Sequence, residues 1–141
     1  MSKLKIFSAG SGGMLGDSIY KVFKDKYNLR ASDIKLCKEA NNYLDFRNFK
    51  EYYDQVVNFK PNFLFHLGAF TDLEFCEKNI NETYITNTLS VENACIIANE
   101  LNIPLIYIGT AGIFDGKKDI YDDWDQPNPL CHYARSKFAG E

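Results

Sequence analysis

Leu4-Lys5-Ile6-Phe7-Ser8-Ala9-Gly10-Ser11-Gly12-Gly13-Met14-Leu15-Gly16 is the stretch that decides the fold class. Leu4 to Ala9 reads as a strand, and Gly10 to Gly16 as a glycine-rich turn. From Leu15 to Tyr27 the apolar positions Leu15, Ile19, Val22, Phe23 and Tyr27 recur at helical spacing. A strand that ends in a glycine turn and feeds a helix opens a βαβ unit. The spacing is G-x-x-G-x-x-G. It misses G-x-G-x-x-G by one place, because Gly10 and Gly12 fit but Leu15 holds the third position. The physics is shared. Glycines let the backbone approach a pyrophosphate, and the free N–H groups and dipole of the following helix favour its charge. Gly10, Gly12, Gly13, Met14 and Leu15 are therefore the expected cofactor-binding residues of the loop. A ligand-free turn is the alternative, and the strand-before, helix-after context argues against it.

The same alternation continues downstream. A weak strand is expected near Leu29 to Ile34, a helix over Phe49 to Phe59 stopped by Pro61, and a strand over Phe63 to Leu67. A long helix is expected over Glu82 to Leu101, and Pro104 starts a strand through Ile108. Gly112 to Pro129 is loop-like, and a last helix opens near Leu130. Four strands alternating with helices predict an α/β fold. It is a doubly wound parallel sheet of the Rossmann type, with helices on both faces.

Composition narrows the function. The chain has 141 residues, which is one domain's worth, with 45% hydrophobic and 15% aromatic residues; disorder is excluded. A net charge of −3 with scattered Lys and Arg offers no basic surface for nucleic acid or anionic membrane. Cys37, Cys76, Cys95 and Cys131 form no C-x-x-C, so no metal site is expected. Met1-Ser2-Lys3-Leu4-Lys5 runs into an apolar segment too short for a secretory signal, and no stretch reaches the about 20 apolar residues of a membrane span. A cytoplasmic protein with reduced thiols is expected.

Two further features carry chemistry. An acidic residue about 20 positions beyond the loop commonly holds the adenosine ribose. Asp33 stands at the end of the second strand, where its carboxylate would bond the ribose hydroxyls and repel a 2′-phosphate, favouring NAD(H) over NADP(H). A surface aspartate in a loop is the competing reading. Tyr133 and Lys137 form Y-x-x-x-K, which puts both on one helix face. An adjacent ammonium stabilises a phenolate and makes a phenol useful for proton transfer. The spacing alone is cheap, since Tyr20 and Lys24 share it. Tyr133 differs because a strand end carrying Thr110 precedes it, and a hydroxyl there could bond a substrate carbonyl.

Glycine loop, strand-end hydroxyl and Y-x-x-x-K together resemble the extended short-chain dehydrogenases/reductases, and within them the dTDP-4-dehydrorhamnose reductase family. The likeness runs through Leu44-Asp45, Pro61, His66-Leu67-Gly68-Ala69-Phe70-Thr71-Asp72 and Tyr84-x-x-Asn87. It continues with Gly109-Thr110-Ala111-Gly112-Ile113-Phe114-Asp115-Gly116, Pro127-Asn128-Pro129 and Tyr133 to Glu141. The resemblance implies hydride transfer from a nicotinamide to C4 of a 4-keto-6-deoxy nucleotide sugar. Tyr133 would protonate the oxygen, Lys137 would hold the nicotinamide ribose, and Thr110 would orient the carbonyl. Asp45 and Phe46 would border the adenine, and Leu67, Gly68 and Ala69 would line the dinucleotide groove. Asn87 would brace the site through the backbone, and His66 would sit near the cofactor without acting as a base.

The sequence departs from the family at Ala111 and Gly112, where many reductases carry Asp and Tyr and the related dehydratases an Asp–Glu pair. Dehydration is thereby disfavoured. A 4-epimerase and a non-catalytic regulatory member, like the regulatory subunit of methionine adenosyltransferase, are the competing functions. In the family the Tyr/Lys helix runs on and a substrate lobe follows. The expectation is therefore an N-terminal portion, residues 1–141, of a longer reductase that is compatible with a homodimer at full length. Such a portion is expected to turn over weakly or not at all and to have an open sheet edge.

Overall fold

The computed structural model describes residues 3–141. Met1 and Ser2, the start of the stretch read against a leader sequence, lie outside the described residues.

Five strands form one parallel sheet: β1 (Lys5–Ala9), β2 (Asn28–Asp33), β3 (Asn42–Tyr43), β4 (Phe63–His66) and β5 (Leu105–Tyr107). Their order is β3-β2-β1-β4-β5, so the chain moves outward from β1 first to one side and then to the other. That reversal defines a switch point between β1 and β4, and a Rossmann-type sheet binds ligands there, beyond the strand C-termini. The register is set by pairs such as Phe7↔Leu64 and Ala9↔Ser32.

Helices cover both faces. α1 (Met14–Phe23) lies on one, where Phe23 meets the Phe65 ring edge-on at 6.1 Å. α2 (Phe49–Phe59) and α5 (Ser90–Leu101) lie on the other. There Phe7, Leu44, Tyr52, Val56, Leu64, Ala94 and Ile97 form the fully buried core. Phe7 and Leu64 are register partners, so their side chains share that face, and period-2 alternation puts His66 on it too. The helix α2 forms where predicted because its ends are specified. Asn48 accepts a bond from the Glu51 N–H at 3.2 Å, and Lys60 takes a left-handed φ of 55° just before Pro61.

Several boundaries differ from the sequence reading. β3 is a fifth strand of two residues, too short for any pattern to reveal. α3 (Leu73–Lys78) has no counterpart among the elements expected from the sequence; Asp72 caps it by accepting from the Phe75 N–H at 2.9 Å. The long helix starts at α4 (Ile80–Tyr84) and passes through a π-helical turn, Ile85–Leu89, before α5. α1 stops at Phe23 rather than Tyr27, and α6 (His132–Gly140) begins two residues after Leu130. Among the described residues no helix is long and apolar enough to cross a membrane, and no His, Cys, Asp and Glu are grouped as metal ligands.

Candidate active site

Glycine permits the β1–α1 turn for two local reasons. Gly10 has φ +79°, and a Cβ there would lie 2.2 Å from the Gly68 backbone, so the loops after β1 and β4 touch. A Cβ on Gly16 would lie 2.2 Å from the Ser11 carbonyl oxygen, so α1 can close onto its own loop only with glycine at that place. The third glycine of the fingerprint is thus Gly16, not position 15. Backbone bonds from the Gly10 and Ser11 N–H groups to the Ser32 carbonyl, at 2.9 and 3.0 Å, tie the loop to the end of β2.

Beyond the strand ends lies a cleft of about 440 Å³. The first turn contributes Gly10, Gly12, Gly13, Met14 and Leu15, and the end of β2 contributes Asp33. The segment after β3 contributes Asp45 and Phe46, and the segment after β4 Leu67, Gly68 and Ala69. Tyr133 and Lys137 reach the opposite end from α6. Every cofactor-site residue expected from the sequence lines this one cavity. Thr110 does not, although its neighbour Gly109 does. The Thr110 hydroxyl oxygen accepts from the Gly112 N–H at 3.1 Å and caps the single 3₁₀ turn Ala111–Ile113.

The sequence reading missed Ile34, Lys35, Arg47, Thr86 and Ile108, which also line the cleft. All but Thr86 follow strand ends, and the topology itself is the signal that would have found them. Thr86 sits in the π-helical turn. Its hydroxyl is buried and has no hydrogen-bond partner among the described residues.

Electrostatics is set by paired groups. Asp33 accepts from the Gly12 N–H through Oδ2 and from the Lys35 N–H through Oδ1, both at 2.8 Å. Asp45 receives Arg47 Nε and Nη2 at 2.8 and 2.7 Å, and the guanidinium bonds hold its carboxyl below the usual carboxylate range. Lys137 is 4% exposed, and burial lowers its ammonium to about 8.

His66 is 1% exposed and bonds Tyr52 Oη through Nδ1 at 3.1 Å and Ser90 Oγ through Nε2 at 3.0 Å. Ser90 Oγ gives its proton to the Thr86 carbonyl, so it must accept from His66 Nε2–H. Nδ1 then accepts from Tyr52, a tautomer assigned by the network. Burial, with Lys137 nearby, lowers His66 to about 3, so the ring is neutral. It is a core residue beside the cleft, not a lining one. Asn87, also fully buried, bonds the Phe70 backbone and Ser136 Oγ.

Comparison with known proteins agrees with this geometry. Residues 4–141 match the model of the RmlD substrate binding domain family. A dTDP-4-dehydrorhamnose reductase of Aggregatibacter actinomycetemcomitans is 29% identical over 140 residues, covering 97% of this chain and 45% of that protein. Methionine adenosyltransferase 2 subunit beta of Danio rerio is 30% identical over 146 residues, covering 97% and 42%. A dTDP-4-dehydrorhamnose reductase of Bacillus anthracis, solved in complex with NADP, superposes with a TM-score of 0.88 at 26% identity, covering 99% of this chain and 48% of that one. The chain spans about half the length of these relatives. With the parallel sheet, the glycine loop and the Tyr133/Lys137 helix meeting at one cleft, the chain belongs to the RmlD substrate binding domain family, among the dTDP-4-dehydrorhamnose reductase-like short-chain dehydrogenases/reductases.

Proposed function

We propose that residues 1–141 are the dinucleotide-binding part of an NAD(P)H-dependent reductase whose substrate is a 4-keto-6-deoxy nucleotide sugar. One observation carries the reading: a single cleft is bordered by the glycine loop at one end and by Tyr133 and Lys137 at the other. The residues suit a dinucleotide. No atom lies within 4 Å of where a Gly13 side chain would stand, which leaves the backbone at the start of α1 open to a phosphate. The buried, unpartnered Thr86 hydroxyl lines the same space. Asp45 and Phe46 would border the adenine, and Leu67, Gly68 and Ala69 the groove between the two nucleotides.

A bound nicotinamide supplies the hydride for such a reduction. The chain's own residues supply the rest. Tyr133 Oη gives its proton to the carbonyl oxygen. Lys137, one helical turn on, holds a positive charge in a place nearly shut off from water, which favours the phenolate left behind. Thr110 Oγ1 accepts from Gly112, so its own proton is free to bond the substrate carbonyl. Asp33 favours NAD(H), since its carboxylate stands at the cleft edge where a 2′-phosphate would arrive.

The test is titration of the protein with NADH and NADPH, followed by NADH fluorescence, and then oxidation of NADH with a 4-keto-6-deoxy nucleotide sugar. Saturable dinucleotide binding is expected. Residues 1–141 alone are expected to turn over weakly or not at all, so Tyr133→Phe should keep that binding and abolish whatever NADH consumption the wild type shows. Absence of saturable binding of either dinucleotide sinks the reading. A non-catalytic member of the family is the second reading, favoured by the likeness to methionine adenosyltransferase 2 subunit beta. It requires dinucleotide binding with every measurable activity indifferent to Tyr133→Phe.

A further inference from the structure

Lys137 enters the cleft from α6, yet it forms no ion pair among the described residues. What its ammonium meets is an aromatic face. Nζ lies 4.0 Å from the centroid of the Tyr107 ring, well inside the range of a cation–π contact. The same tyrosine also donates its hydroxyl proton to the Lys137 backbone carbonyl at 3.1 Å. Tyr107 thus holds one residue at two points, the head of its side chain and its main chain. Tyr107 closes β5, and its register partner on β4 is His66, so the seat is fixed to the sheet rather than to a loop.

We propose that Tyr107 is a positioning residue for Lys137: its ring seats the ammonium in charged form beside the cleft, and its hydroxyl fixes the helix that carries it. The role deepens the reductase reading, because a charged Lys137 at that place is what the Tyr133 proton transfer requires.

The other groups that face Lys137 do not supply this charge support in the same way. His66 on β4 is neutral and is itself pushed down by the ammonium. Tyr133 and Glu141 lie on or just past α6, and of these Glu141 favours the charged lysine through space. Burial works against the charge and brings Lys137 to about 8. A π face desolvated with the cation offsets part of that cost without adding an anion that would compete for it. An anion at this place would hold the ammonium permanently. A ring holds it weakly enough to let it turn to a ribose hydroxyl.

The experiment is an NMR titration of the Lys137 ε-amine in the dinucleotide-free protein, with Lys137→Arg identifying the signal. Tyr107→Phe keeps the ring and should leave the titration midpoint nearly in place. Phenylalanines of increasing ring fluorination at position 107 keep the shape and drain the π face. The midpoint should then fall stepwise, by roughly half to one pH unit across the series. A purely structural ring would leave it unmoved, and a midpoint constant across the series overturns the proposal. If the phenylalanine variants fold poorly, ring-fluorinated tyrosines at 107 keep the hydroxyl bond and give the same comparison. Adding NADH or NADPH then separates the two claims. A Lys137 signal that falls with fluorination but ignores both dinucleotides upholds the seat and removes the reductase reading.

Discussion

Asn87 holds both backbone polar groups of Phe70 with its one side-chain amide. Its Oδ1 accepts from the Phe70 N–H at 2.8 Å, and its Nδ2 donates to the Phe70 carbonyl at 3.0 Å. The side-chain amide therefore does for the loop after β4 what a neighbouring strand would do. Its second Nδ2 proton goes to Ser136 Oγ at 3.0 Å, on the helix of Tyr133 and Lys137. One buried residue sets the spacing between the groove-lining loop and the helix across it.

Asn87→Ala should therefore cost stability and binding together. It leaves the Phe70 N–H and carbonyl without their partner, at about 2–4 kcal/mol. Chemical denaturation should register that loss, and NADH titration of the remaining folded protein should show weakened affinity. Asn87→Asp should not rescue it, because a carboxylate cannot donate to Phe70 or Ser136. Unchanged dinucleotide affinity in a folded Asn87→Ala protein would remove the positional role.

Asp33 tests cofactor preference. Its two oxygens already accept from Gly12 and Lys35, so the carboxylate is fixed at the cleft edge rather than free to swing away. A 2′-phosphate would meet that charge, and NADH should bind more tightly than NADPH. Asp33→Ser should narrow or reverse the preference by about tenfold, which corresponds to about 1.4 kcal/mol. The absolute affinity for both should also fall somewhat, since the Gly12 loop loses an anchor. Competitive titration with both cofactors reads the ratio, and a ratio unaltered by the substitution removes Asp33 from cofactor selection.

The cleft was legible in the sequence to the extent that its residues are local. Gly10, Gly12 to Leu15, Leu67 to Ala69, Tyr133 and Lys137 come in short runs whose spacing has a physical meaning, and all of them line it. Lys35 and Arg47 were not legible. Their places depend on where β2 and β3 end, and β3 is two residues long. β2 itself is mostly polar, Asn28-Leu29-Arg30-Ala31-Ser32-Asp33, and is a strand because it pairs with β1 from Lys5↔Asn28 to Ala9↔Ser32. Tertiary pairing decided it, not intrinsic preference. The π-helical turn was equally hidden, since Thr86 and Asn87 carry no pattern that separates a π turn from an α-helix. The Tyr107 contact needed the fold, because β5 and α6 meet only in space.

Asp115 latches the loop between the 3₁₀ turn and α6. Tyr121 Oη donates to it at 2.7 Å, Asn128 Nδ2 at 3.0 Å and the Lys117 N–H at 3.1 Å. The Tyr121 bond, then those of Asn128 and Lys117, hold its carboxyl far below the usual range. Phe114 stacks on Tyr121 at 4.4 Å, while Trp124, further along, is 94% exposed. Asp115→Ala should free the loop without unfolding the sheet. Limited proteolysis should then cut between Gly116 and Asn128, and Trp124 fluorescence anisotropy should drop. A loop as resistant as the wild type would place the latch elsewhere.

His66 gives the fold a predictable acid limb. In the unfolded chain the imidazole takes a proton near its ordinary value of 6.5, but in the folded protein only at about 3. Between those values the unfolded state binds more protons than the folded one, so stability rises with pH and falls as the solution is acidified. The contribution is complete above about pH 6.5 and is lost progressively toward pH 3. Its slope is about 1.4 kcal/mol per pH unit for one proton. Carboxylates held low, Asp45 and Asp115 among them, act mostly below about pH 4, so the window from about 6 to 4.5 belongs to His66. Urea denaturation across that window should show the slope in the wild type. His66→Gln retains an amide that can reach part of the Tyr52–Ser90 network but does not titrate. It should lower stability at pH 7 and flatten the slope between pH 6 and 4.5. An unchanged slope in a folded His66→Gln protein would mean that the neutral ring buried against Tyr52 and Ser90 is not what acid attacks first.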